Sequence, residues 1–307
     1  MLVAAAAALW GSDAVFRRGL ALELPAATVV FVEHVILVLL TAPLLARGVR
    51  ATRTFSSRDW VALVVIGVGA SAAATILFTQ AFTYGGPTTP LLLQKLQPLI
   101  AIAGARLLLG ERLLPRYALY FITAVIGAYL ISFPDPSSVS VDALAPALLA
   151  TGAAALWGMG TVLGRHLSVK IDFRSLTALR FAVGLPAAAV ILWLQGASPT
   201  LLTLDGSSVL ALVLLALVPG LLALLLYYRG LRQTPAAAAT LAELAFPLSA
   251  IVVNYVAFRA TLTSSQWLGI VILLATITTM GLRSAQGSRA VGIDLAHGPV
   301  EARAATS

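Results

Sequence analysis

The sequence predicts an all-α membrane protein of ten transmembrane helices, arranged as two inverted five-helix repeats. Of the 307 residues, 60% are hydrophobic and only 10% are charged, whereas a soluble domain carries about 25% charged residues. The apolar residues form successive runs of the roughly 20 residues that a spanning helix needs. The second half of the chain also repeats features of the first half.

The apolar runs are separated by turn-forming and charged residues, such as Gly85-Gly86-Pro87 after the third run. The first run begins at Leu2 with no basic segment before it, so it is predicted to be a spanning helix rather than a cleaved signal peptide. The predicted spans are 2–20, 28–46, 60–82, 87–109, 115–133, 146–165, 174–195, 208–228, 235–258 and 263–282.

A duplication relates the two halves. Leu9-Trp10-Gly11 recurs as Leu156-Trp157-Gly158 after 147 residues, and Pro98 is matched by Pro247 after 149 residues. The predicted organisation is a first five-helix repeat at 1–134, a linker at 135–145, a second five-helix repeat at 146–283, and a disordered cytoplasmic tail at 284–307.

The distribution of basic residues predicts the orientation. With the N-terminus in the cytoplasm, nearly all loop arginines lie inside, as the positive-inside rule requires; Arg17, Arg18 and Arg259 are the exceptions. Both termini are then cytoplasmic. Five spans per half also give the halves opposite orientations, the geometry of alternating access. Because the net charge of +8 comes mainly from these loops, no nucleic-acid partner is predicted.

Polar side chains in the middle of the fourth span form one candidate site. Gln94 and Gln97 lie three residues apart on one helix face beside Lys95, and they precede Pro98, which is predicted to kink the helix. In the second half, Glu243 occupies the position of Gln94 and precedes Pro247. Two bent helices lining a substrate path, or two ordinary kinks with polar contacts between helices, both explain this pattern.

Glu33 and Arg180 are a second candidate, because they occupy equivalent positions in the two halves. They are predicted either to form a structural ion pair or to bind the two charges of a zwitterion. Glu33, Glu243 and His34 are candidates for proton coupling, although His34 also fits a hydrogen-bonded packing role. Gln80 is a neutral candidate for substrate binding. Asp13 and Arg17, one turn apart, are predicted to pair.

Several short motifs resemble the EamA-type domain of the drug/metabolite transporter superfamily, over about residues 1–282. In the first half they are Leu9-Trp10-Gly11, Gln80-Ala81-Phe82-Thr83, Leu96-Gln97-Pro98 and Leu109-Gly110-Glu111-Arg112. In the second half they are Leu156-Trp157-Gly158, Tyr228-Arg229-Gly230-Leu231, Phe246-Pro247 and Trp267-Leu268-Gly269.

The resemblance implies ten helices, a central cavity, and transport of amino acids or other small metabolites. The chain departs from the family pattern at Glu33, where an arginine is expected by analogy with Arg180. It also departs at Lys95, which places a charge on the helix that lines the cavity. The Gly110-Glu111 pair that closes the fourth span has no counterpart at the end of the ninth span, where the residues are Arg259-Ala260-Thr261.

The predicted function is a secondary transporter of the cytoplasmic membrane that exports an amino acid or a similar amphipathic metabolite. The alternatives are a channel, a drug-efflux carrier for a charged organic compound and, with less support, a membrane-embedded lipid enzyme. The predicted partners are the lipid bilayer and a small-molecule substrate. No catalytic residue, metal or cofactor is predicted, because the chain has no cysteine and its three histidines are scattered. The substrate, the coupling ion and the oligomeric state are left open.

Overall fold

The computed structural model describes residues 1–84, 87–110, 116–133, 135, 141–168, 170–197, 204–231, 242 and 245–296. Within these ranges the chain is entirely helical, with no strand. The α-helices are α1 (Leu2–Gly11), α2 (Asp13–Glu23), α3 (Ala26–Ala51), α4 (Ser57–Val64), α5 (Ala74–Ala81), α6 (Thr88–Leu93), α7 (Gln97–Leu109), α8 (Tyr117–Ser132), α9 (Val141–Ser168), α10 (Phe173–Leu194), α11 (Gly206–Leu215), α12 (Ala223–Leu231), α13 (Ala245–Phe258) and α14 (Ser264–Ala296).

Among the described residues, seven helical stretches are long and apolar enough to cross a membrane. They are Ala26–Thr54, Ser57–Tyr84, Thr88–Leu108, Leu144–Gly164, Phe173–Leu194, Gly206–Tyr227 and Ser264–Arg283. Tyr117–Ser132 and Ala245–Phe258 are shorter apolar helices, and the first predicted span is divided at Ser12. The membrane-helical fold class is therefore confirmed, whereas the number ten stays a prediction.

The first predicted span consists of two helices, α1 and α2, which meet where the Ser12 hydroxyl and amide both donate to the Leu9 carbonyl. α9 begins at Val141, and α14 continues to Ala296; residues 297–307 lie outside the described residues. The bounds of the two repeats, the linker and the tail stay predictions.

The first helix of each half docks against the other half in the same way. A Cβ atom added at Gly11 would lie 2.9 Å from the Phe246 carbonyl oxygen and 2.9 Å from the Ala250 nitrogen. One added at Gly158 would lie 3.1 Å from both the Gln97 carbonyl oxygen and the Ala101 nitrogen. Since 149 residues separate Gln97 from Phe246 and Ala101 from Ala250, one backbone contact occurs twice. Both glycines therefore permit close approach of the helices.

Other contacts between the two halves also involve equivalent helices. α1 packs on α12 and α13, and α9, its counterpart in the second half, packs on α5 and α7. α3 and α10 are equivalent helices that pack antiparallel. Gly48 near the end of α3 lies against Ser175 near the start of α10, whereas Ala26 at the start of α3 shares a core with Leu192 at the end of α10.

α8 and α14 pack antiparallel through Gly127 and Gly269, whose backbones touch. A Cβ atom added at Gly269 would lie 2.6 Å from the Gly127 carbonyl oxygen. One turn away, Gln266 Nε2 donates to the Ile131 carbonyl at 3.2 Å. Small residues therefore permit the close approach of these helices, as is common in membrane bundles.

In the part of the chain that the structure describes, each half contains one π-helical segment, inside its third helical stretch. Val65–Ala73 joins α4 to α5, and Ala216–Leu222 joins α11 to α12, 151 residues later. π-Helical turns are rare and occur frequently at functional sites. Both segments face the opposite half: the first contacts α9 and α10, and the second contacts α1 and α3.

Candidate functional site

The fourth predicted span is interrupted at the polar cluster. A 3₁₀ turn at Gln94–Leu96 separates α6 from α7, so the helix changes its hydrogen bonding just before Pro98. Pro98 then sits in the first turn of α7, where a proline is tolerated. Pro247 is buried in the first turn of α13, but most of the chain before it lies outside the described residues.

The polar side chains on this 3₁₀ turn and at the start of α7 are half-buried and reach the second half of the protein. Gln97 Nε2 donates to the Thr161 hydroxyl of α9 at 3.2 Å. Lys95 Nζ lies 4.0 Å from the centre of the Phe246 ring of α13, a distance typical of a cation–π contact. Gln94, one residue before Lys95, is also half-buried.

Two aromatic pairs lie on the helices beside this cluster. Trp10 and Tyr227 have ring centres 5.0 Å apart, and Phe78 and Trp157 have ring centres 5.1 Å apart. The Trp10 indole N–H donates to the Pro219 carbonyl at 3.0 Å, within the second π-helical segment. Each pair joins one residue from each half.

Arg180 contacts the first π-helical segment. Its Nη2 donates to the Ala70 carbonyl at 3.3 Å, and its guanidinium lies 5.7 Å from the centre of the Phe181 ring. A carbonyl in a π-helical segment departs from the regular i→i+4 pattern, and here it accepts a charged donor from the other half.

Glu33, the residue predicted to act together with Arg180, belongs to a buried ionic network. Arg17 donates from Nε and Nη2 to Asp13 at 2.6 and 2.9 Å, which confirms the predicted pair. The same guanidinium donates from Nη1 and Nη2 to Glu33 at 3.1 and 3.3 Å, and from Nη1 to the Thr79 hydroxyl at 2.9 Å. Arg17 is 4% exposed and Glu33 is 4% exposed. Glu33 therefore forms an ion pair inside its own half.

Two other predicted residues form local hydrogen bonds. His34 is buried, with Nδ1 2.8 Å from the Val30 carbonyl and Nε2 3.0 Å from the Ser71 hydroxyl. Because a carbonyl only accepts, Nδ1 carries a proton, and neutral His34 accepts from Ser71 at Nε2. These contacts fit the predicted packing role. Gln80 Nε2 donates to the Thr83 hydroxyl at 3.0 Å.

Glu243 lies outside the described residues, so its proposed relation to Gln94 stays a prediction. The roles of Lys95, Gln94, Gln97, Arg180, Glu33 and Gln80 in substrate binding, and of Glu33, His34 and Glu243 in proton coupling, also stay predictions.

Sequence reasoning missed a second network, at the end of the bundle where α4 begins. Asp59 is completely buried, accepts from the Ser56 amide at 2.8 Å, and lies 2.6 Å from Lys170 Nζ and 2.9 Å from His166 Nε2. Ser56 and Asp59 form a capping box. The spacing Ser-x-x-Asp before an apolar run, with His166 and Lys170 four residues apart, was the signal available in the sequence.

The membrane-length apolar helices, with charged groups buried between them, indicate a multi-pass membrane protein. The EamA-like transporter family model matches residues 1–133 and 144–282. The chain therefore belongs to the EamA-like transporter family, within the drug/metabolite transporter superfamily. This membership indicates a transporter rather than an enzyme.

Two relatives match most of the chain. The riboflavin transporter ImpX of Fusobacterium nucleatum is 31% identical over 284 residues, covering 90% of this chain and 95% of the relative. A riboflavin transporter of Brucella anthropi is 27% identical over 255 residues, covering 82% and 86%. One solved crystal structure, with 19% sequence identity, matches 93% of this chain and 98% of its own with a TM-score of 0.63, which supports the fold alone.

Proposed function

We propose that this protein is a secondary transporter of riboflavin or a closely related flavin. The observation that carries this proposal is that two relatives named as riboflavin transporters align with 90% and 82% of the chain. The proposal replaces the amino acid predicted from the sequence with a planar aromatic metabolite.

The side chains near the 3₁₀ turn suit such a ligand. A flavin ring system is flat and aromatic, with hydrogen-bonding oxygen and nitrogen atoms along one edge. Aromatic rings such as Trp10 and Trp157 offer stacking surfaces, while the amides of Gln94 and Gln97 can both donate and accept. In our proposal Lys95 and Arg180 bind the ring oxygens as charged donors, and Gln80 and Glu243 complete the polar lining of a cavity between the halves.

Both carboxyl oxygens of Glu33 already accept hydrogen bonds from Arg17. Glu33 is therefore not free to bind the ammonium group of an amino acid, which is the role predicted for it in a zwitterion site. An uncharged flavin ring needs no acidic partner.

We infer alternating access between two inverted five-helix halves, ten spans in all. Support comes from the repeated Gly11 and Gly158 contacts, from the antiparallel packing of the equivalent helices α3 and α10, and from the matching π-helical segments. The arginine distribution supports a protein of the cytoplasmic membrane with both termini in the cytoplasm. In such repeat-built carriers the substrate site lies at the interface of the repeats.

The test is riboflavin flux in proteoliposomes that contain the purified protein. Vesicles loaded with unlabelled riboflavin should take up labelled riboflavin faster than empty proteoliposomes, since counterflow distinguishes a carrier from a channel. Lys95→Met and Gln97→Ala should raise KM for riboflavin, whereas Leu119→Ala, at a side chain 57% exposed on α8, is the matched control. A riboflavin flux equal to that of protein-free vesicles would contradict the proposal that a flavin is the substrate. Exchange of labelled amino acids would instead support the amino-acid substrate predicted from the sequence. Preloading cells and following release would show whether transport runs outward.

A further inference from the structure

The guanidinium of Arg17 makes shorter hydrogen bonds to Asp13 than to Glu33. Its two bonds to Asp13 measure 2.6 and 2.9 Å, and its two bonds to Glu33 measure 3.1 and 3.3 Å. Asp13 therefore forms the closer, fork-like pair that balances the charge of Arg17. Glu33 is the second carboxylate on a cation that is already paired.

The network carries one excess negative charge when both acids are ionised. Asp13 is 9% exposed, and the other members, Arg17, Glu33 and Thr79, are between 0% and 4% exposed, so water does not screen that charge. A buried ion without its own partner is strongly unfavourable, and a carboxyl group avoids this cost by taking a proton. One bound proton makes the network neutral.

The longer bonds of Glu33 to Arg17 point to Glu33 rather than Asp13 as the acid that holds this proton. The neighbouring polar and charged groups make the following contacts. α2 presents Arg17 and Asp13 to it, and α5 presents the Thr79 hydroxyl to the same guanidinium. On its own helix, His34 is bonded to Val30 and Ser71. α10, which packs on α3, carries Arg180, which donates to the Ala70 carbonyl.

Glu33 also lies at the contact between the halves. Its Oε1 is 3.8 Å from where a Cβ atom would stand at Gly220, in the π-helical segment Ala216–Leu222, which carries no titratable side chain. Arg180, the residue of α10 that is equivalent to Glu33 in the repeat, contacts the π-helical segment of the first half and donates a hydrogen bond to its Ala70 carbonyl. A protonated Glu33 would likewise be a donor, and an ionised one would only accept.

We propose that Glu33 is the proton-binding group that couples transport to a proton gradient, with Arg17 and Asp13 setting its charge balance. The proposal rests on the carrier function proposed above. Protonated Glu33 leaves a neutral network and favours the closed packing of α3 against Ala216–Leu222. Loss of the proton leaves a net negative charge, which favours a state in which water reaches Glu33. The step is a simple proton transfer between water and the carboxylate oxygen.

The first experiment needs no substrate. Infrared difference spectra of the purified wild-type protein between acidic and alkaline buffer should contain the C=O stretch of a protonated carboxylic acid that titrates. Glu33→Gln should lose this band, Glu33→Asp should shift its frequency, and Asp13→Glu, which keeps both carboxyl groups, should leave its frequency unchanged. Retention of the band in Glu33→Gln, or its absence from the wild type, would overturn the proposal. A thermal unfolding curve of each variant shows that it is folded.

The second experiment measures coupling in proteoliposomes. Under an imposed pH gradient the wild type should accumulate riboflavin, while Glu33→Gln should exchange riboflavin but reach only the level obtained without a gradient. If riboflavin exchange is intact in the wild type but insensitive to the gradient, the proton proposal fails and the flavin proposal stands. If no riboflavin moves but the infrared band behaves as expected, the flavin proposal fails and the proton-binding assignment to Glu33 stands.

Discussion

The carboxylate of Asp59 lies 2.6 Å from the ammonium of Lys170 and joins the two halves at one end of the helix bundle. The acid belongs to α4 in the first half, and Lys170 follows α9 in the second half. At the equivalent position in the repeat, 147 residues before Lys170, Glu23 accepts a hydrogen bond of 2.9 Å from Ser208, next to the start of α11. The two links are related by the duplication, but only the first is an ion pair.

Breaking the Asp59 link should open that end of the protein. Asp59→Asn removes the charge that binds Lys170 and His166, and a hydrogen bond to a charged group contributes about 1.5–3 kcal/mol. We expect faster maleimide labelling of a cysteine introduced at Leu167, which is completely buried beside the link. The protein has no cysteine, so a single label reports one site.

The control for this experiment is Ser208→Ala, which removes the weaker link of the pair and should leave labelling at position 167 unchanged. Equal labelling of the wild type and Asp59→Asn would show that the ion pair does not hold this end closed.

The glycine contact between α8 and α14 should not tolerate a side chain. In Gly269→Val the Cβ atom would stand 2.6 Å from the Gly127 carbonyl oxygen and 2.9 Å from the Leu130 Cβ atom. Overpacking of this kind costs about 1–3 kcal/mol, so we expect a lower Tm in detergent. Gly164→Ala is the matched control, because nothing lies within 4 Å of its added Cβ atom. A Tm of Gly269→Val equal to that of the control would show that the helices can separate freely.

The two equivalent glycines of the first helices should differ in their tolerance. At Gly11 an added Cβ atom would be 2.9 Å from two backbone atoms, whereas at Gly158 the same two distances are 3.1 Å. Gly11→Ala should therefore lower the Tm more than Gly158→Ala, by an amount measurable in a side-by-side fluorescence melt. The reverse order would mean that the neighbouring α7 is less able to shift than α13.

The N-terminus of α11 should show an acid-dependent contribution to stability. Hydrogen bonds from the Ser207 hydroxyl and the Ser208 amide lower the pKa of Asp205 to about 2. Because the folded pKa lies below the ordinary value of 3.8, the cap stabilises fully above that value and loses its effect as pH falls towards 2. Between pH 5 and pH 3, the Tm of the wild type should fall more than that of Asp205→Asn, whose cap does not titrate. Parallel curves for the two proteins would contradict this.

Apolar runs were the most reliable guide to the fold. The second, third, fourth, sixth, seventh, eighth and tenth predicted spans coincide with membrane-length helical stretches, because burial in lipid imposes a long uninterrupted run. Ser12 interrupts the first span where the apolar run of α1 ends and the charged residues Asp13 and Arg17 of α2 begin.

The contacts of the candidate site residues could not be predicted from the sequence, and their roles stay predictions. Depth in a span identified Glu33, Lys95 and Arg180, and spacing identified the pair of Asp13 and Arg17. The sequence does not reveal that Arg17 binds Glu33 as well as Asp13, because Glu33 lies on another helix. The contact of Arg180 with the Ala70 carbonyl depends on a π-helical turn, which has no clear residue signature.

The mutual docking of Gly11 and Gly158 bears on how the chain is made. Each of these glycines fits onto a helix that belongs to the other half, and α3 and α8 likewise cover helices of the second half. While only the N-terminal half has emerged from the ribosome, these surfaces have no protein to cover them and must be sheltered by lipid or by the insertion machinery. The contacts between the halves therefore form only after the second half has entered the membrane.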